Sequence, residues 1–316
     1  MWAILVGAAI IVVLIGASFA GGYYFFGYVF RRKADDTVIK KLIKATEYTG
    51  SAHQEAAKKG LELMKTLPHE DAYAFSKDAL KLHGHLFCFE EHPKKFILGM
   101  HGYKSKSLNE FAPYIAFYRS IGFSMLLPDN RAHGESEGKY VGMGNLDRLD
   151  CIQWAEYLVN RFGPDIQIIL HGISMGGATV LSAAGEQELP KQVIGVISDC
   201  AYTSLKDEFK HGMHELFHLP TFPCIRICEK ICRKKLKFNF TKNSPIEQVQ
   251  KAKVPILFVH GNKDTVVPHW MGHILCDRCK VKKRLLTVEG ANHAQSIAVS
   301  PVEYHEAIKS FFGIGA

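Results

Sequence analysis

Ile166-Gln167-Ile168-Ile169-Leu170-His171-Gly172-Ile173-Ser174-Met175-Gly176-Gly177-Ala178-Thr179-Val180-Leu181-Ser182-Ala183-Ala184 is the stretch on which the rest of the chain depends. Its first six residues are apolar and β-branched, the pattern of a strand buried on both faces. Its last eight are small and apolar and suit a helix packed tightly on a sheet. Between them stands Gly172-x-Ser174-x-Gly176, a turn so tight that the neighbours two positions from the serine must lack side chains. The helix begins at the turn, so its free N–H groups point at whatever the serine attacks.

The remaining segments repeat the alternation of strand and helix. Lys95–Met100, Phe123–Leu127, Val193–Ser198, Pro255–His260 and Arg284–Val288 read as strands, and Leu80–Phe89 as an edge strand or hairpin. Leu146, Leu149, Ile152, Ala155, Leu158, Val159 and Phe162 fall at helical spacing. Leu108–Ser120 carries a second helical stripe bent by Pro113, and Val302–Phe312 closes the chain as a helix. Such alternation predicts a mostly parallel sheet with helices on both faces. The interval of about fifty residues from Ala201 to Lys253 holds no convincing strand. Its stripes, Phe209, Met213, Leu216 and Phe217, then Ile225, Cys228, Ile231 and Cys232, predict a small helical cap over about 203–252. The four residues of the first stripe are the candidate substrate contacts.

A serine hydroxyl attacks well only when a base takes its proton, and that base needs an orienting partner. Gly261-Asn262-Lys263-Asp264 follows one predicted strand, and Gly290-Ala291-Asn292-His293 follows another. In an open α/β sheet the loops beyond the carboxyl ends of strands meet in one crevice. Ser174, Asp264 and His293 therefore form a candidate triad in the order nucleophile, acid, base. Glu289 is a second candidate acid for His293, less favoured than Asp264 in its N-x-D loop. His101 and His171 end strands and read as structural. His211, His214, Glu215 and His218 share one helix face, where metal binding is weighed against a simpler solvated face.

These loops, with His101-Gly102-Tyr103 and Asp129-Asn130-Arg131-Ala132-His133-Gly134-Glu135-Ser136-Glu137-Gly138, make residues 72–316 resemble the α/β-hydrolase superfamily. The resemblance runs to the bacterial membrane-anchored serine hydrolases of the BEM46-like and prolyl-peptidase-like group. It implies Ser174 as nucleophile, His293 as general base and Asp264 as its orienting acid. It also implies an oxyanion hole made by the backbone N–H groups of Tyr103 and Met175, and a bracing role for the Asp129–Gly138 loop.

Residues 1–30 hold no charged side chain, and Arg31-Arg32-Lys33 follows at once. The run Ala3–Ala20, with Tyr23, Tyr24 and Tyr28 after it, predicts a single transmembrane helix. The absence of a basic n-region argues against a cleaved signal peptide. Residues 31–71 read as a juxtamembrane stalk or leading helix. Positive charge at Arg31, Arg32, Lys33, Lys40 and Lys41 places the catalytic domain on the cytoplasmic side of the cell membrane. Eight cysteines without regular spacing fit a reducing compartment better than a disulfide framework, and Cys276-x-x-Cys279 lacks a second pair for zinc.

A net charge of +8 arises from residues spread along the chain, with no nucleic-acid-binding motif beside them. The nearest to a patch is Arg233-Lys234-Lys235-Leu236-Lys237. The expected activity is cleavage of a small acyl ester, then of a thioester, with peptide hydrolysis third, and acyl transfer of this kind calls for no metal or cofactor. The rival from another class is a membrane-anchored binding protein that keeps the fold without catalysis.

Overall fold

The computed structural model describes residues 2–32, 51–216 and 221–315. One eight-stranded sheet forms the centre, in the order β1-β2-β4-β3-β5-β6-β7-β8. Its strands are β1 (Glu70–Phe75), β2 (Lys81–Phe87), β3 (Lys95–Met100), β4 (Ser124–Pro128), β5 (Gln167–Ile173), β6 (Val193–Asp199), β7 (Ile256–Gly261) and β8 (Lys283–Val288). The pairs β1–β2 and β2–β4 are antiparallel and all others are parallel. The central strands β4, β6 and β7 are buried almost throughout, which explains their continuous apolar sequences.

Two apolar cores cover the two faces. One gathers Leu98, Leu170 and Val196 with the helix Asp147–Phe162 and the helix Met175–Ala184, and the other gathers Ile97, Ile169 and Ile197 with the helix Pro301–Phe312. Alternate residues of one strand thus feed opposite layers, as the period of two requires. The chain leaves β3 toward β4 on one side and later returns as β5 on the other. This reversal opens a crevice at the carboxyl ends of β3 and β5, between His101-Gly102-Tyr103 and Ser174.

The stripe broken by Pro113 becomes two short helices, Ser107–Phe111 and Ile115–Ser120, joined by a 3-10 turn with the proline near its start. Of the stretch read as a stalk or leading helix, the described part is helical. Ser51–Thr66 is a helix lying on the domain, with Met64 and Leu67 buried and Gly60 so close to the Ala112 backbone that a Cβ would collide. The first strand starts at Glu70, two residues before the expected boundary at 72. Residues 33–50, and with them Lys33, Lys40 and Lys41, lie outside the described residues.

The cap follows β6. It contains the helix Leu205–His211, one π-helical turn Gly212–Leu216, and the helix Cys224–Lys235. Ser204 starts the first of these by accepting a hydrogen bond from Asp207 N at 3.1 Å. The N-terminal helix Trp2–Phe30 packs its final turns against this cap. Phe26 and Phe30 are fully buried, and Phe30 stacks on Phe240 with ring centroids 6.1 Å apart. Among the described residues no helix is long and apolar enough to cross a membrane. The side chains at 3–5, 7–15 and 17, most of the apolar run, are outside the description.

Candidate active site

Ser174 stands between β5 and the helix it caps, at φ 56° and ψ −116°. For a residue with a Cβ this is a strained conformation. The glycines on either side make it possible. A Cβ on Gly172 would run into the Gly176 backbone, and one on Gly176 into the carbonyl of Met100. The Ser174 backbone is tied to the sheet by its N–H, which donates to Asp199 O at 2.9 Å.

The structure brings the three candidate residues into one hydrogen-bonded chain. Ser174 Oγ–H donates to His293 Nε2 over 2.8 Å, and His293 Nδ1–H donates to Asp264 Oδ2 over 2.8 Å. The other Asp264 oxygen accepts the backbone N–H groups of Val266 and Val267, both at 2.9 Å. His260 Nε2 donates to Val267 O at 2.9 Å and lies 3.3 Å from Asp264 Oδ2. The carboxylate is thereby fixed in one orientation before it meets the imidazole. Glu289 is exposed and is not the partner of His293.

Burial alone would raise the Asp264 pKa. The charge of His293 and hydrogen bonds from His260 and His293 outweigh it and hold the group well below the usual carboxylate range. Burial acts on His293 in the opposite sense, lowering it, but the facing Asp264 carboxylate and then Cys200 carry it well above the ordinary imidazole value. The pair therefore favours charge separation, the state in which the imidazole holds a proton taken from serine.

Gly102 lies against the nucleophile, its Cβ position 3.5 Å from the Cβ of Ser174. Tyr103 and Met175 consequently flank the same crevice from the ends of β3 and β5. The loop Asp129–Gly138 braces this side. Asp129 accepts hydrogen bonds from Ser107 Oγ at 2.9 Å and Glu135 N at 3.1 Å. His133 Nε2 accepts Lys104 N at 3.0 Å, and His101 Nε2 accepts Asn130 N at 3.0 Å. Burial lowers the pKa of both histidines, so each is a neutral imidazole serving as an acceptor. Arg131 is held by Asp150 at 2.6 Å and Asp78 at 2.9 Å.

The N-terminal helix reaches this loop system. Tyr103 OH donates to Val29 O at 2.7 Å, and the Arg32 guanidinium donates to Gly134 O and Ser136 O, each at 2.6 Å. His171, on the elbow strand, lies beneath the site, bridging Tyr118 OH at 2.7 Å and Tyr304 OH at 3.1 Å. Burial depresses it to about 3, which leaves it a neutral structural link.

Of the cap stripe, Phe209 and Met213 are buried in the main core, and Phe209 meets Phe25, Phe30 and Phe240 with centroids 5.1 to 6.0 Å apart. Leu216 ends the π turn, its side chain undescribed, and Phe217 lies outside the described residues, as does His218. His211 Nε2 donates to Thr265 O at 2.9 Å and His214 pairs with Glu215, so the described part of that histidine face is not a metal cluster.

Two neighbours of His293 were not anticipated. Cys200 follows β6 in the left-handed region at φ 47°, and its sulfur lies within 4.8 Å of ligand atoms of Asp264 and His293. Burial chiefly pushes its thiol up to about 12, so it remains uncharged. Its place just past a buried strand was the usable signal. Glu208 belongs to the first cap helix, and its Oε2 is sealed from solvent with no hydrogen-bond partner. Burial, opposed by His293 and reinforced by Asp264, lifts its carboxyl to about 8. Nothing in the periodicity distinguishes it from a solvent-facing cap residue.

Residues 91–244 match the family described as serine aminopeptidase, S33. Among curated proteins, the uncharacterized protein YqkD of Bacillus subtilis is 25% identical over 215 residues, covering 68% of this chain and 70% of its own length. Protein bem46 of Schizosaccharomyces pombe is 23% identical over 202 residues, or 61% of this chain and 60% of that protein. Among solved structures, the Pyrococcus furiosus esterase Pf2001 superposes with a TM-score of 0.64 at 22% identity, covering 79% of this chain and 93% of that one. Strand order, elbow and the structural likeness give the chain the α/β-hydrolase fold, and its sequence is similar to proteins of the BEM46-like group.

Proposed function

We propose that the protein is a serine hydrolase that cleaves ester-type acyl bonds through an acyl-enzyme. The observation that carries this reading is the continuous chain from Ser174 through His293 to Asp264 on a strained elbow. In the first step His293 Nε2 takes the Ser174 proton as Oγ bonds to the substrate carbonyl carbon. The N–H groups of Met175 and Tyr103 receive the oxyanion. His293 then returns the proton to the departing alcohol or thiol as the C–O or C–S bond breaks. Water, deprotonated by the same imidazole, releases the acid and restores Ser174. None of these steps calls on a metal or cofactor.

An ester of modest size is the first choice, supported by the likeness to an esterase fold, with a thioester second. A peptide substrate draws support from the description of the matching family. A panel of esters, thioesters and amides of graded acyl length tests the ranking. Faster turnover of an amino-terminal amide than of every ester would overturn it.

Part of the same proposal is an anchor formed by residues 1–30 in the cell membrane, with the catalytic domain on the cytoplasmic face. The apolar run Ala3–Ala20 supports the span, and Arg31, Arg32 and Lys33 after it support the orientation. Intact cells treated with an impermeant protease test it, and loss of the domain without lysis would contradict the inward face.

A further inference from the structure

Away from the triad, the hairpin β1–β2 gathers a second set of chemically active groups. Asp71 pairs directly with His85 across the hairpin, and His83 precedes His85 by two positions. In an antiparallel ribbon, directly paired residues and those two apart project from the same face. The sequence His83-Gly84-His85 opposite Asp71 therefore aims two imidazoles and one carboxylate at one point.

The distances agree with that expectation. Asp71 Oδ1 lies 3.0 Å from His83 Nε2 and 3.8 Å from His85 Nδ1, and the three atoms fall within 4.8 Å of one another. Four ligands at the usual zinc bond lengths of about 2.0–2.1 Å stand roughly 3.3 Å apart at tetrahedral angles. Two further observations point to a ligand. His85 Nδ1 is sealed from solvent and has no hydrogen-bond partner. His83, buried to 2% exposure, gives its other ring nitrogen to a second carboxylate, Nδ1 lying 3.2 Å from Asp129 Oδ2. Carboxylate, imidazole and ion in that order is how metal-binding histidines are commonly oriented.

We infer that Asp71, His83 and His85 form a binding site for a divalent first-row transition ion, zinc being the fit, on the hairpin edge of the sheet. Two imidazoles and a carboxylate suit such an ion once it displaces the proton that Asp71 and Asp129 favour on His83, and the exposed side of Asp71 leaves the fourth position to water. The role is structural. Through His83 and Asp129 the ion ties the edge hairpin to the loop that accepts Lys104 N beside the oxyanion side of the crevice. Simple sharing of His83 between Asp71 and Asp129 is the alternative, and it leaves the buried Nδ1 of His85 unaccounted for.

The test uses the full chain stripped with a chelator and titrated with cobalt(II), then zinc(II). One equivalent of cobalt should bind with the visible bands of a four-coordinate ion and without a thiolate charge-transfer band. Zinc should displace it and raise the melting temperature. Asp71→Asn and His85→Gln, which leave the His83–Asp129 contact in place, should each weaken binding by about 100-fold or more and abolish the zinc-dependent rise. Their circular dichroism without metal reports whether they fold. No stoichiometric band, or an undiminished one in both folded variants, would overturn the site. So would a thiolate band, which would assign the ion to Cys200, Asp264 and His293 instead.

Discussion

Two acids of opposite character act on His293. Asp264 is ionised and shares a hydrogen bond with it, while Glu208, lifted to about 8, is neutral at pH 7. The Asp264 charge raises the imidazole, and only neutral imidazole can take the serine proton. Activity must therefore rise with pH through a value above the ordinary 6.5 of histidine. Asp264→Asn removes the raising charge, so the acid limb of kcat/KM should move to lower pH while kcat falls by roughly 10⁴-fold. An unmoved limb would mean that Asp264 does not face the working base. Above about 8, Glu208 gains a charge that acts on His293 and should depress the rate, because it makes the imidazolium slower to return its proton to the leaving group. Glu208→Gln should keep the neutral-pH rate within a few-fold and remove that alkaline decline. A decline that persists in the variant would assign it to another group. The hydrogen-bonded trio was legible because each member follows a strand, whereas Cys200 and Glu208 come to act on His293 only through the fold, which no linear spacing records.

The N-terminal helix is more than a leading segment. Phe26 and Phe30 are fully buried against the cap, and Val29 O holds the Tyr103 hydroxyl beside the crevice. Phe30→Ala should cost about 3–5 kcal/mol, the usual range for emptying a buried aromatic site, with the loss seen in denaturant unfolding. A cost under about 1 kcal/mol would mean that the helix only rests on the domain. The sequence did not disclose this docking, because an apolar run reads alike whether lipid or protein covers it. The same ambiguity governs Phe209 and Met213. Their helical stripe was legible, but the aromatic rings of Phe25, Phe30 and Phe240, far off in sequence, make Phe209 core as well as cap. Ser51–Thr66 read as a stalk or a leading helix, and its charged composition concealed only the face bearing Met64. The parallel strands were read within one or two residues, because burial on both faces of β4, β6 and β7 forces uninterrupted apolar sequence.

Taken whole, the described residues form a mostly parallel sheet whose reversal at β3 and β5 opens the crevice, helices after β6 that reach the Asp264 loop through His211 and Thr265 O, and an N-terminal helix packed on those helices. Nothing in the net charge of +8 bears on the chemistry, which lies in three loops at one end of the sheet. The hairpin cluster of Asp71, His83 and His85 stands apart from that chain and is linked through Asp129 to the loop that holds Lys104 N beside the crevice. The proposed chemistry depends on Ser174 as the nucleophile, and fluorophosphonate labelling of the full-length protein beside Ser174→Ala tests it most directly. The parent protein should be labelled at Ser174 and hydrolyse an ester, while the folded variant should lose all labelling and roughly 10⁶-fold in kcat. Labelling that survives in Ser174→Ala, or a parent protein that never reacts, would contradict the account.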